Sequence, residues 1–196
     1  NTDVVKMKLR QRKMAIIDIF NTDKKYNIIY ADPPWSYNDK MHGHSFSLEN
    51  EYPTMPLDWI KELPIENICE KDCILFLWAV SPQLPEAMQT MESWGFKFKT
   101  VAFCWSKYSK NGKPISNLGK WTMGNVELCL LGIKGKPNKF RIDKSIKQLV
   151  IAERKRHSQK PNEVRERIVK GFGDLPRIEL FARETADGWD CWGNET

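Results

Sequence analysis

The sequence has no apolar run approaching the roughly 20 residues that a helix needs to cross a bilayer, so no helical membrane span is expected. No repeat and no low-complexity linker divides its 196 residues, which argues for one globular domain. Its five cysteines, Cys69, Cys73, Cys104, Cys129 and Cys191, are odd in number and form no C-x-x-C pair, so a reducing compartment is expected. The three histidines, His42, His44 and His157, are too few and too badly spaced with the cysteines for a metal site, and no metal is expected. The opening Asn1-Thr2-Asp3-Val4-Val5 holds no hydrophobic stretch or small-residue cleavage site, so no signal peptide is expected and the location reads as cytoplasmic. With 41% hydrophobic residues the chain is not a disordered tail.

Charge is present in excess and unevenly. Thirty-one Lys and Arg stand against 25 Asp and Glu, a formal charge of +6, and residues 139–160 alone hold eight bases against two acids. Lys144, Lys147, Arg154 and Lys155 in that segment, with Lys107, Lys110, Lys113 and Lys120 further back, are the candidate surface for a polyanion. A second basic run, Lys6 to Lys13, reads as a solvated leader over residues 1–13, ahead of a domain at 14–196.

Apolar runs rich in β-branched and aromatic residues predict strands at Met14–Ile19, Asn27–Ala31, Cys73–Val80, Phe98–Trp105, Val126–Ile133 and Arg177–Ala182. Helical patterns lie between them at Leu57–Ile68, Pro82–Trp94 and Pro161–Lys170, the last with Gly171 as its expected stop. Alternation of this kind implies an α/β sandwich with a mostly parallel sheet, in which ligands bind beyond the carboxyl ends of the strands.

The Asn27–Ala31 run leads directly into Asp32-Pro33-Pro34-Trp35. Prolines have no N–H, so this stiff loop offers acceptors and few donors: the Asp32 carboxylate, prolyl carbonyls, and the Trp35 indole as a platform. A flat group carrying two N–H donors matches it, and an amino-substituted base has that shape. The exocyclic amine of adenine is a poor nucleophile because its lone pair is delocalised into the ring. Holding both hydrogens in acceptors favours a pyramidal nitrogen, and a carboxylate stabilises the positive charge that develops as it attacks a methyl group. The matching electrophile is the sulfonium methyl of S-adenosylmethionine. Turn chemistry alone accounts for Asp-Pro but not for the terminal aromatic.

Together with Tyr52-Pro53-Thr54-Met55, Leu75-Phe76-Leu77-Trp78, Trp94-Gly95-Phe96, Glu127-Leu128-Cys129-Leu130-Leu131-Gly132, His157 to Pro161, Glu179 to Arg183 and Trp192 to Glu195, this loop resembles the MT-A-seventy family of adenine methyltransferases over residues 14–195. The resemblance implies a single-domain, Rossmann-like fold dependent on S-adenosylmethionine, with permuted motif order: catalytic Asp32, Pro33, Pro34 and Trp35 early and most of the cofactor site late. By match of motif, Lys160 would meet the methionine carboxylate, Arg183 and Asn194 the ribose region, and Glu195 a ribose hydroxyl. Glu179 and, more loosely, Asp18 and Ile19 join the cofactor set, and Tyr52 matches an aromatic of the loop closing over the substrate. Ala182-Arg183 stands where other methyltransferases carry Gly-x-Gly, so side chains rather than glycine-loop amides are expected to hold the cofactor.

The resemblance also implies nucleic acid as partner, a bacterial or phage-infected cell as the setting, and a homo- or heterodimer as one option; small size and the absence of RNA-binding appendages favour DNA over RNA. No stretch is large enough for a separate recognition domain, so short or loose sequence specificity is expected. The same chemistry on RNA adenosine, and a non-catalytic nucleic-acid-binding subunit, are the two rival readings; the intact Asp32, Trp35, Lys160 and Asn194 count against the second.

Overall fold

A computed structural model describes residues 15–36, 54–119, 121–155 and 159–193. Seven strands form one sheet: β1 Tyr26–Ala31, β2 Cys69–Ala79, β3 Lys97–Tyr108, β4 Val126–Lys134, β5 Leu149–Glu153, β6 Arg177–Leu180 and β7 Asp190–Trp192. Their spatial order is β5-β3-β4-β2-β1-β6-β7, and every adjacent pair is parallel except those that β4 makes with β2 and β3. Helices α1 Leu57–Lys61, α2 Leu84–Ser93 and α3 Asn162–Phe172 supply the crossovers.

The two faces are built by strict alternation along strands buried on both sides. Ile29, Ala31, Leu75 and Leu77 point to one face, where Ile60 of α1 and Ala87 and Met91 of α2 cover them with Trp94 and Phe96. Ile28, Tyr30, Phe76 and Trp78 point to the other, against Val164 and Ile168 of α3. Because Ile28–Ala31 of β1 and Ile74–Ala79 of β2 are buried on both faces, these stretches read as continuous apolar runs.

Three expectations need correction. Met14–Ile19 adds no strand to the sheet in its described part, where Ile16 makes a single parallel bridge to Cys191 beside β7, and Asp18 then turns the chain by accepting the Phe20 N–H at 3.0 Å. The helix expected over Leu57–Ile68 breaks after Lys61, because Pro64 cannot donate to the ladder, and a 3₁₀ turn at Ile65–Ile68 follows. Helix α3 runs through Gly171 to Phe172 and ends where Gly173, at φ +85°, takes the left-handed conformation. Among the described residues no helix is long and apolar enough to cross a membrane.

Chain order places the crevice. The chain starts in mid-sheet at β1, adds β2 on one side, and returns much later with β6 on the other. The carboxyl ends of β1 and β6 thus flank the point where strand order reverses, where open α/β sheets bind ligands. Those ends are Asp32 and Phe181-Ala182-Arg183. Phe181 sits at φ +60°, uncommon for a side chain of that size, with its ring edge-on to Trp192 at 5.2 Å. A Cβ at Gly193 would overlap the Ala182 backbone, so only glycine lets these two strand ends lie so close.

Candidate active site

The Asp32–Trp35 loop is fixed from several sides. Pro33 and Pro34 carbonyls accept the N–H groups of Trp35 at 2.9 Å and Met55 at 3.0 Å, each keeping a second lone pair. The Trp35 indole N–H donates to the Trp78 carbonyl at 3.1 Å, which pins a half-buried ring beside the end of β2. Beneath it, the Trp78 indole N–H donates to the Tyr30 hydroxyl at 2.7 Å. A shorter brace runs from the Gln83 amide to the Ser36 carbonyl at 2.7 Å.

Lys160, just ahead of α3, reaches this loop. Its ammonium lies 2.7 Å from Asp32 Oδ2 and 3.2 Å from Glu127 Oε2, with the Trp78 ring centroid 5.5 Å away. Glu127 also pairs with Lys107, itself over the Trp105 ring. In the sequence Glu127 is no more than part of a strand motif, and its place here comes from topology. As the second residue of the one reversed strand, it stands at the same edge where its parallel neighbours end. An acid opening an otherwise apolar strand was the available signal.

The charges are not balanced evenly. Burial pushes the Asp32 carboxyl above its ordinary value; Lys160 pulls against that, while Glu127 adds to it and Arg183 opposes it more weakly. Burial pushes Glu127 up as well, but it faces two ammonium groups, Lys160 and Lys107, and ends below its ordinary value. Lys160 loses from burial and gains more from its two carboxylates, so its pKa is raised. Asp32 is therefore the less compensated anion of the two carboxylates that share Lys160.

Other predicted residues are placed differently. Glu179 points under α3, where Arg165 grips it through two bonds, Nε to Oε2 at 2.7 Å and Nη2 to Oε1 at 3.2 Å. Burial still leaves its carboxyl raised, with Arg165 opposing. Arg165 also donates to Glu184 at 3.3 Å, and the Gln159 amide holds the same carboxylate at 3.2 Å. Ile19 is core, packed with Ile17 and Ile178, whereas Asp18 is exposed in its turn beyond β7. Tyr52, Asn194, Glu195 and the histidines lie outside the described residues.

The basic segment is divided by β5, an apolar strand that its charge concealed. Arg154 and Lys155 follow β5 at the carboxyl edge, and Lys155 lines one recess with Gln159 and Lys160. Lys144 and Lys147 precede β5, which enters the sheet opposite Cys104, midway along β3. At about 3.3 Å per residue the strand sets the two groups roughly 16 Å apart or more. Lys139 is paired with Asp72 at 2.6 Å.

A family pattern described as MT-A70 matches residues 26–195. The chain belongs to the MT-A70 family. It is 39% identical over 188 residues to the type II methyltransferase M.MunI of Mycoplasma sp, covering 88% of this chain and 78% of that one. It is 29% identical to an N(6)-adenosine-methyltransferase MT-A70-like protein of Arabidopsis thaliana, over 91% of this chain and 24% of the relative. It is 27% identical to the human N(6)-adenosine-methyltransferase catalytic subunit METTL3, over 87% and 28%. The chain thus spans about a quarter of the length of these N(6)-adenosine relatives and most of M.MunI. The junction of β1, β4 and the start of α3 gathers Asp32, Glu127 and Lys160 at the crevice.

Proposed function

We propose that the protein transfers a methyl group from S-adenosylmethionine to the exocyclic amine of adenine in DNA. One observation carries the reading: an under-compensated, half-buried Asp32 carboxylate at the end of β1, flanked by proline carbonyls with spare lone pairs and an anchored Trp35.

The donor set fits the cofactor's methionine end. An ammonium and a carboxylate on one small molecule are matched by a carboxylate and an ammonium, Asp32 and Lys160, already side by side at 2.7 Å, with Arg183 close enough to act on Asp32. When bound, S-adenosylmethionine supplies an electrophilic sulfonium methyl; the N–C bond forms as the S–C bond breaks, leaving a neutral thioether. Asp32 and a prolyl carbonyl accept the two N–H bonds of the amine, and Trp35 stacks on the base. Positive charge moves onto the nitrogen, where the Asp32 charge stabilises it, and the surplus proton passes to solvent. Glu127 acts through Lys160: by sharing that ammonium it keeps Asp32 from being fully neutralised, which makes it a positioning residue.

DNA is favoured over RNA because the relative matched over most of its length is the type II methyltransferase, while the N(6)-adenosine relatives are matched over a quarter of theirs. The same relative supports the cytoplasm of a bacterial or phage-infected cell. An adenine inside a duplex must leave the stack to reach Asp32. Methyl transfer measured side by side on DNA and RNA oligonucleotides tests the reading; DNA is the expected acceptor, and transfer to RNA alone would replace it with the RNA reading.

A further inference from the structure

Between β3 and β4 the chain makes an excursion that the methyl-transfer chemistry does not use. It is built as two hydrogen-bonded turns. Ser109 N–H donates to the Lys113 carbonyl at 2.8 Å and brings Pro114 back beside Tyr108. Asn117 and Gly124 then exchange both backbone bonds at 2.8 Å, pairing the two arms of a hairpin. A Cβ at Gly119 would overlap the Thr122 carbonyl oxygen, so the tip is a turn that only glycine permits.

This braced tip carries apolar side chains into solvent. Leu118 is 93% exposed and Trp121 98%, with Met123 at 55% beside them. Such residues gathered beside one bridged turn are unlike apolar residues scattered singly over a surface. The flanks have one sign of charge: residues 107–125 hold four lysines and no acid. Lys107 is committed to Glu127, and Lys110 and Lys113 stand exposed. The hairpin rejoins β4 at Val126, next to Glu127, so Trp121 stands five residue steps, at most about 17 Å of chain, from the active-site edge.

We propose that this hairpin is a wedge that enters the base stack of nucleic acid, with Trp121 and Leu118 occupying the gap that an extruded base leaves. The inference rests on the proposed function for its site, since it places the wedge a few base steps from Asp32. Lysines flanking an apolar tip suit a polyanion with an apolar interior, and inserted apolar side chains are a general means of holding unstacked steps open. A second copy of the chain fits poorly: these three side chains would bury on the order of a few hundred Å², against about 800 Å² per partner for a stable interface, and the lysines would repel.

The test uses Trp121→Ala, with Trp121→Phe as the conservative partner; at 98% exposure neither removes core packing. Binding is read by fluorescence anisotropy on an intact duplex and on one with an abasic gap, so the readout stands apart from methyl transfer. The parent is expected to prefer the gapped duplex, and Trp121→Ala to bind it about 5- to 150-fold more weakly, the range of one lost base–aromatic stack. Trp121→Phe should recover most of that loss, and S-adenosylmethionine affinity should not move. Unchanged affinity for the gapped duplex, or an equal loss on both duplexes, overturns the wedge. So does conversion of a dimer to a monomer by Trp121→Ala in sedimentation, which would assign the tip to a second copy. A parent that prefers the gapped duplex but methylates no DNA would refute the proposed function and leave the wedge standing.

Discussion

Replacing Lys160 by Met removes the ammonium that two buried carboxylates share while keeping much of the side chain's volume. The three side chains are 9%, 18% and 13% exposed for Lys160, Asp32 and Glu127, so the pairing is largely shielded from water. Breaking a buried ion pair by removing one partner costs about 3–5 kcal/mol. Glu127 retains Lys107, so Asp32 alone loses its adjoining cation, and the lower end, about 3 kcal/mol, is expected. For a domain of this size that is a fall of roughly 6–12 °C in Tm. The loss should depend on pH in one direction. In the parent, Lys160 is raised, so its stabilisation is present below 10.5 and lost as pH climbs through its higher folded value. Glu127 is lowered, so its contribution is present above 4.5 and lost as pH falls through the folded value. Asp32 is raised, so it favours the fold below 3.8 and ceases to as pH rises through its folded value. Removing Lys160 raises Asp32 further and lifts Glu127 from its lowered value, and the variant's deficit should shrink at acid pH and grow toward pH 8. Thermal melts by circular dichroism at pH 4.5, 6 and 8 read this out. A Tm change under about 2 °C, or a deficit independent of pH, would show that Lys160 does not hold the two carboxylates in place.

Glu127→Gln leaves Asp32 as the sole anion on Lys160 and should slow methyl transfer on the order of tenfold to a hundredfold, less than removal of Asp32, with cofactor affinity by calorimetry nearly unchanged. Arg165→Met strands the Glu179 carboxylate under α3 and should cost about 3 kcal/mol in urea unfolding, whereas adding Glu179→Gln should return much of it. Neutralising Arg154 and Lys155 should reduce the slope of log affinity for DNA against log salt by roughly 0.7 to 0.9 per lost phosphate contact, and neutralising Lys144 and Lys147 should leave it nearly unchanged.

The core strands β1 and β2 were legible in the sequence because burial on both faces makes their central stretches continuous apolar runs, β4 because Leu128–Leu131 is an apolar run, and Asp32 to Trp35 stood out because strand-ending turns do not call for that aromatic. Strand β5 was hidden because five residues, Leu149–Glu153, sit between clusters of bases, and β7 because three residues show no period. The reversed direction of β4 was not legible, since an apolar run carries no sign of its pairing sense. That direction is what turns Glu127 from a strand residue into a neighbour of Lys160. Charge counting over residues 139–160 joined Lys144 and Lys147 to Arg154 and Lys155 for a related reason: it is blind to a strand that sends the two halves of the segment to different levels of the sheet. Glu179 shows the reverse case, in which a motif residue is held by Arg165, a partner 14 residues earlier that only the packing of α3 on β6 reveals.

Everything proposed for the crevice depends on Asp32 facing the amine of adenine during methyl transfer. Mass spectrometry of the nucleosides from DNA incubated with methyl-labelled S-adenosylmethionine and either the parent or Asp32→Ala tests this, with circular dichroism showing both folded. Labelled N6-methyldeoxyadenosine is expected from the parent, and a loss on the order of a hundredfold or more with Asp32→Ala. Label on a base other than adenine, or near-parental labelling by the folded variant, would contradict it.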